Sequence, residues 1–313
     1  MMLRKLFMMS VLIPGLAFAG WQSSDKKTAD ETVAILTSND EVMNAYLWLP
    51  EGYDANNQYS AVVMVHGCGG AHYKDTADQW TAKYVSGKYK VWGKLLNEQN
   101  TIALLVDSFT HRDNNGDVGG GVCGGDPLER PTKIDPISVR PTDIAEGIAW
   151  LKSRDDINPD KIGVLGFSNG GTSALAFANH GMLASNEEQL QMDDKQWFNL
   201  PFDAQYQAST VISLYPGCAL NGYSDATQDI FDDAFETNSE SYIFAASDDD
   251  SLPDDTLEKC HNLALLDAGN GWETPNLQLN VVADTDHQFD YKENDEAPVE
   301  QTIARILALF GSM

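Results

Sequence analysis

Positive charge is scarce in this sequence. Its 313 residues hold 20 Lys and Arg against 47 Asp and Glu, a formal charge of 20 − 47 = −27. A chain this acidic repels phosphate backbones and anionic bilayers, which argues against nucleic acid as a partner. Also missing is any apolar run of about 20 residues, the length that spans a bilayer. The run from Leu6 to Phe18 has 13 residues and is interrupted by Pro14 and Gly15. No Walker loop occurs, no G-x-G-x-x-G joins a strand to a helix as a dinucleotide fold needs, and no Cys and His spacing matches a zinc site. These absences predict no cofactor, no metal and no stable membrane anchor. The run Asp113-Asn114-Asn115-Gly116-Asp117 alternates oxygen ligands like a calcium loop, but Val118 stands where that loop needs Gly and Gly124 where it needs Glu. Oligomeric state is written in no motif.

The first residues read as an export signal. Arg4 and Lys5 precede the apolar run, and Ala17-Phe18-Ala19 has the small-x-small pattern of a cleavage site, so residues 1–19 are expected to be removed. The mature protein is then expected outside the cytoplasm, periplasmic or secreted. Disulfides persist there, and the four cysteines, Cys68, Cys123, Cys218 and Cys260, fit two bridges.

With 42% hydrophobic and 21% charged residues the chain can bury a core. Runs rich in β-branched and aromatic residues predict eight strands: Thr32 to Leu36, Ala45 to Leu49, Ala61 to Val65, Ile102 to Val106, Ile162 to Leu165, Thr210 to Leu214, Tyr242 to Ala246 and Leu277 to Val282. Several are apolar throughout, as parallel strands covered on both faces are. Helical periodicity recurs between them, at Asp143 to Ser153, Thr172 to Asn179, Leu257 to Leu266 and Val299 to Leu309. Asp143 and Glu146 read as acidic residues favourable to the dipole of a helix start. The alternation predicts an α/β protein with a mostly parallel, twisted sheet and right-handed crossovers. One domain over 20–313 is expected. Two polar stretches break the pattern, Thr110 to Pro136 and Leu183 to Gln207; the second carries Trp197 and Phe198 and is a candidate lid.

The chemistry concentrates where the strand Ile162 to Leu165 meets Gly166-Phe167-Ser168-Asn169-Gly170. A glycine-flanked turn between strand and helix lifts a serine hydroxyl above the sheet, and the helix start behind it favours a developing oxyanion. Ser168 is therefore the candidate nucleophile. A serine needs a base and an orienting carboxylate, which in this kind of fold follow in the order Ser, Asp or Glu, His. His261 sits inside a helical pattern, whereas His287 follows the last strand in Asp284-Thr285-Asp286-His287, a loop position suited to a base. The acid belongs after the strand ending at Ala246, where Asp248, Asp249 and Asp250 stand in a row and spacing does not choose among them.

These residues resemble the dienelactone hydrolase family of the α/β-hydrolases, in its exported, cysteine-containing branch. The resemblance rests on His66-Gly67-Cys68-Gly69-Gly70, Val106-Asp107-Ser108-Phe109 with Arg112 close behind, the Gly166 to Gly171 elbow, Tyr215-Pro216-Gly217-Cys218, the Asp-rich loop closed by Pro253, and Asp286-His287. It implies the α/β-hydrolase fold and hydrolysis of a small-molecule ester or lactone through an acyl-enzyme. A D-x-x-x-P arrangement in that family implies Asp249 as the acid. Dienelactone hydrolases proper carry cysteine as nucleophile, so Ser168 points to esters other than dienelactone. A peptidase of the same fold, or a hydrolase fold kept as a binding module, are the rival readings.

Two backbone amides are expected to hold the oxyanion, that of Asn169 after the nucleophile and one from the loop after Ala61 to Val65, Cys68 ahead of Gly69. Topology suggests the disulfides. Cys68 and Cys123 follow consecutive strands, as do Cys218 and Cys260, and consecutive strands are usually neighbours, which predicts Cys68–Cys123 and Cys218–Cys260.

Overall fold

A computed structural model describes residues 26–38, 40–72, 81–112, 134–137, 139–179, 206–218, 237, 239–269, 276–292 and 297–313. Eight strands form one sheet: β1 (Glu31–Leu36), β2 (Val42–Trp48), β3 (Tyr59–Val65), β4 (Thr101–Val106), β5 (Ile157–Phe167), β6 (Thr210–Leu214), β7 (Glu240–Ala246) and β8 (Leu277–Val282). The helices are α1 (Gly87–Glu98), α2 (Arg140–Lys152), α3 (Asn169–Ala178), α4 (Thr256–Gly269), the single turn α5 (Phe289–Lys292) and α6 (Ala297–Gly311).

The spatial order is β1-β2-β4-β3-β5-β6-β7-β8. β2 runs antiparallel to both β1 and β4, and every pairing from β4 to β8 is parallel. Parallel neighbours need a crossover, and the crossover helices cover both faces of the sheet. On one face Trp92 of α1 and Ile306 and Phe310 of α6 pack on Trp48, Met64 and Phe167. On the other, Ile144, Ile148 and Leu151 of α2 and Ala174 and Phe177 of α3 pack on Val63, Val106 and Val164. That is why β3 and β4 carry no polar alternation: both of their faces are inside, and each buried Val or Leu adds about 1.5–3 kcal/mol.

All eight expected strands are present, with β5 starting five residues earlier than its apolar run. Helix α1 is an addition. Its apolar positions, Tyr89, Val91, Trp92, Leu95 and Leu96, are interleaved with three lysines and two glycines that mask the period. Gly93 is required there, because a Cβ would enter the Trp48 ring.

One reading needs correction. Asp143 and Glu146 are more than charges at a helix start. Asp143 is fully buried and takes Arg112 Nη1 and Nη2 at 2.7 Å each, and Glu146 accepts from the Ser38 amide at 2.8 Å. A buried bidentate pair is costly to break from one side, so these residues tie α2 to the segments after β4 and β1.

Candidate active site

β5 leads directly into the turn at Ser168, which has φ 55° and ψ −119°. This is a sparsely populated conformation for a residue with a Cβ and costs of order 1–3 kcal/mol. Close backbone approach leaves the turn no alternative: a Cβ on Gly166 would strike the Gly170 carbonyl, and one on Gly170 the carbonyls of Val65 and His66. The Ser168 amide donates to Leu214 O at 2.9 Å and Thr172 N donates to Ser168 O at 3.0 Å, so both sides of the strained residue are anchored. α3 begins at the next residue, and its first N–H groups have no acceptor within the helix.

The loops after β7 and β8 are laced together. Ser247 N donates to Val282 O (3.1 Å), Asp248 N to Thr285 O (2.9 Å) and Asp250 N to Asp286 Oδ1 (3.3 Å). Asp284 and Gln288, at φ 56° and 64°, bend the chain on either side of His287. The lacing sets His287 Nδ1 2.7 Å from Asp249 Oδ2 and His287 Nε2 2.9 Å from Ser168 Oγ. A carboxylate only accepts, so Nδ1 carries the ring proton and the Nε2 lone pair faces the serine hydroxyl. Ser168, His287 and Asp249 thus come together in one hydrogen-bonded line. Asp248 accepts from Ser247 Oγ at 2.9 Å, Asp250 is exposed, and His261 is exposed on α4.

Behind the imidazole lies a buried polar group that the sequence did not announce. Tyr215 packs its ring edgewise on His287, with centroids 4.8 Å apart. Its hydroxyl donates to Asp290 Oδ1 at 2.6 Å, and Asp290 Oδ2 accepts from Trp92 Nε1 at 2.7 Å. Lys88 Nζ donates to the same hydroxyl at 3.3 Å and lies 5.1–5.5 Å from the ring centroids of Phe167, Tyr89 and Tyr215. Burial, and then the Asp290 carboxylate, push the Tyr215 phenol well above its usual range, so it stays a donor.

The turn after β3 lies against the serine. A Cβ placed on Gly67 would be 3.4 Å from Ser168 Cβ and 3.9 Å from Oγ. The Gly67 amide is committed to Tyr89 Oη at 3.0 Å, which makes Cys68 the next amide in line and Asn169 the amide from the other side. His66 is fully buried. Its Nε2 accepts from the Ser108 amide (3.2 Å), so Nδ1 bears the proton and donates to Gly67 O (2.8 Å). Burial, with Arg140 adding repulsion, holds the His66 pKa well below 6.5, and the ring is neutral.

Cys218 and Cys260 form a disulfide, with Cα atoms 5.0 Å apart, between the segment after β6 and helix α4. Cys68 is disulfide-bonded too, and its expected partner Cys123 lies outside the described residues. The acidic run at 113–117 also lies outside them, as does 183–205 of the candidate lid with Trp197 and Phe198. Among the described residues no group of three His, Cys, Asp or Glu is arranged to hold a metal, and no helix is long and apolar enough to cross a membrane. Arg140, Tyr89, Lys88 and Asp290 lie close to the triad and belong to no motif of the sequence. An arginine opening an apolar helix beside Pro141 was the one visible signal.

The strand order, the strained turn between β5 and α3 and the placement of His287 after β8 define an α/β-hydrolase fold. No family model matches the chain. Solved structures share its fold. A candidate dienelactone hydrolase of Klebsiella pneumoniae aligns at TM-score 0.60 and 17% identity, over 90% of this chain and 98% of that one. Esterase 2 of Thermogutta terrifontis aligns at 0.56 and 15%, over 91% of both chains. The dienelactone hydrolase-like promiscuous phosphotriesterase P91, from metagenomic libraries, aligns at 0.56 and 13%, over 90% of this chain and 97% of that one.

Proposed function

We propose that the protein is a serine hydrolase that cleaves small carboxylic esters or lactones through an acyl-enzyme. The observation that carries this is the line from Asp249 through His287 to Ser168, with links of 2.7 and 2.9 Å, at the carboxyl ends of parallel strands. His287 Nε2 takes the hydroxyl proton as Ser168 Oγ bonds to the ester carbon. The carbonyl oxygen becomes an oxyanion facing the amides of Asn169 and Cys68. Collapse of this adduct breaks the bond to the alkoxy group, which leaves with the proton held by His287. Water then repeats the sequence on the acyl group and restores the serine. Asp249 stays ionised and holds the imidazolium in place.

The fold neighbours support this reading: the Thermogutta esterase occurs phosphoramylated by tabun and phosphorylated by paraoxon, agents that react with activated nucleophiles. The Cys218–Cys260 bridge fits an oxidising compartment outside the cytoplasm, and the export signal read at residues 1–19 points the same way. Ser168→Ala is the test. Fluorophosphonate labelling is expected to vanish, and turnover of p-nitrophenyl acetate to fall by about 10⁴-fold or more. Wild-type turnover in the variant overturns the mechanism, and absence of labelling in the native protein would instead mark a binding module.

A further inference from the structure

Arg140 occupies a place with three costs. It is fully buried. It opens α2, where the helix dipole disfavours a cation. Among the described residues no carboxylate pairs with it, since Arg112 takes Asp143. Its Nε, moreover, has no hydrogen-bond partner. What the guanidinium does touch is specific: Nη1 donates to Asn169 Oδ1, Nη2 donates to His66 O at 2.5 Å, and the Phe109 ring lies 5.0 Å away. Burial brings its pKa down from the ordinary arginine value to about 10, with Asp143 working in the opposite direction, so it remains a cation at neutral pH.

Those two acceptors belong to the two segments that present the proposed oxyanion donors. His66 O and Gly67 N are the two polar ends of one peptide unit; Arg140 holds the first and Tyr89 Oη the second. In the next peptide, Gly67 O is held by His66 Nδ1 and by Gly70 N at 3.1 Å. A trans peptide points its N–H opposite its C=O, so fixing Gly67 O fixes the direction of the Cys68 N–H. On the other side, Asn169 contributes its backbone amide at the start of α3 while Arg140 grips its side chain.

We infer that Arg140 is a positioning residue for ester hydrolysis: one buried guanidinium ties the β3 turn to the start of α3, spacing the two oxyanion donors and setting a fixed positive charge behind them. This rests on the serine hydrolase reading. The positive charge has little to stabilise in the ground state and gains its partner when the carbonyl oxygen becomes negative, so its effect belongs in kcat more than in KM.

Two substitutions probe it. Arg140→Met removes charge and tether together. Asn169→Asp keeps the tether and neutralises the charge. In both, kcat for p-nitrophenyl acetate is expected to fall about 30-fold or more with KM within about threefold. The inhibition constant of a trifluoromethyl ketone, which forms a tetrahedral adduct with the serine, is expected to rise by the same factor. A residue that only stabilises the fold would lower the melting temperature and leave the ketone constant unmoved. Folded Arg140→Met with kcat and ketone affinity within about threefold of native overturns the inference; if it does not fold, Arg140→Gln, which likewise loses the charge and the two-sided grip, decides by the same readouts, and an unchanged Asn169→Asp overturns the role of the charge. Ser168→Ala is run beside them. If it stays active, the hydrolase reading and this one fall together; if it is inactive while folded Arg140→Met or Arg140→Gln is fully active, only the role of Arg140 falls.

Discussion

Three adjacent aspartates differ in what they touch, and one of them alone reaches the imidazole. Asp249 Oδ2 lies 2.7 Å from His287 Nδ1, Asp248 bonds Ser247, and Asp250 faces solvent. Asp249→Asn would leave the ring free to adopt the wrong tautomer, and kcat/KM for p-nitrophenyl acetate is expected to drop by about 10³–10⁴-fold. Asp248→Asn and Asp250→Asn are expected to stay within about threefold of native by the same arithmetic of hydrogen-bond reach. A larger loss in either neighbour would assign the acid elsewhere. From sequence this choice is open on spacing, and resemblance to a family pattern only favours Asp249 over Asp250. Distances within one loop depend on how that loop is laced to its neighbour, which is tertiary information. Ser168 and His287 were legible for the opposite reason: a glycine-flanked turn after a strand and a histidine after the last strand are local features. Arg140 was not legible, because its partners, His66 and Asn169, are 74 and 29 residues away in the chain.

At the scale of elements, two links hold the segments around the proposed base. The first is Asp290 in α5, which satisfies the buried Tyr215 hydroxyl and Trp92 indole at once. Asp290→Ala would orphan both donors, and unfolding in urea is expected to show a loss of about 2–5 kcal/mol. A loss below about 1 kcal/mol would show that water replaces the carboxylate. The second is the Cys218–Cys260 bridge, with a separation of 42 residues. In the chain-entropy model a loop of that size contributes about 4 kcal/mol, so Cys218→Ser with Cys260→Ser is expected to shift the urea midpoint accordingly. Residual native stability would place the benefit of the bridge elsewhere. Strands were readable because full burial on both faces leaves continuous apolar runs. α1 was not, because its Gly93 answers to Trp48 across the core, and its Lys88 to the rings of Tyr89, Phe167 and Tyr215.

Taken whole, the molecule is strongly acidic, and burial weighs on three of its six histidines. His66, His72 and His111 all have pKa values below the free value of 6.5, with burial the largest cause in each. The unfolded chain takes up protons on these rings near pH 6.5 while the folded chain does not. Their contribution is therefore complete above that pH and is lost as pH falls, by up to about 1.4 kcal/mol per pH unit for each ring. Urea midpoints measured from about pH 7.5 down to 5.5 are expected to fall, and less steeply in His66→Asn; a flat profile refutes the linkage. The charge of −27 acts on capture. A carboxylated ester should be taken up more slowly than its neutral analogue at low salt, with kcat/KM for the charged one rising as salt screens the repulsion. Equal salt dependence of the two would discard the steering argument.

The proposed base lies 119 residues after the proposed nucleophile in the chain. At ribosomal speeds of roughly 5–20 residues per second, that separation amounts to some 6–24 s in which the serine has been made and its histidine has not. A hydroxyl without its base is an ordinary alcohol. On the proposed mechanism the nascent polypeptide holds no activated serine until β8 has joined the sheet and brought the imidazole with it.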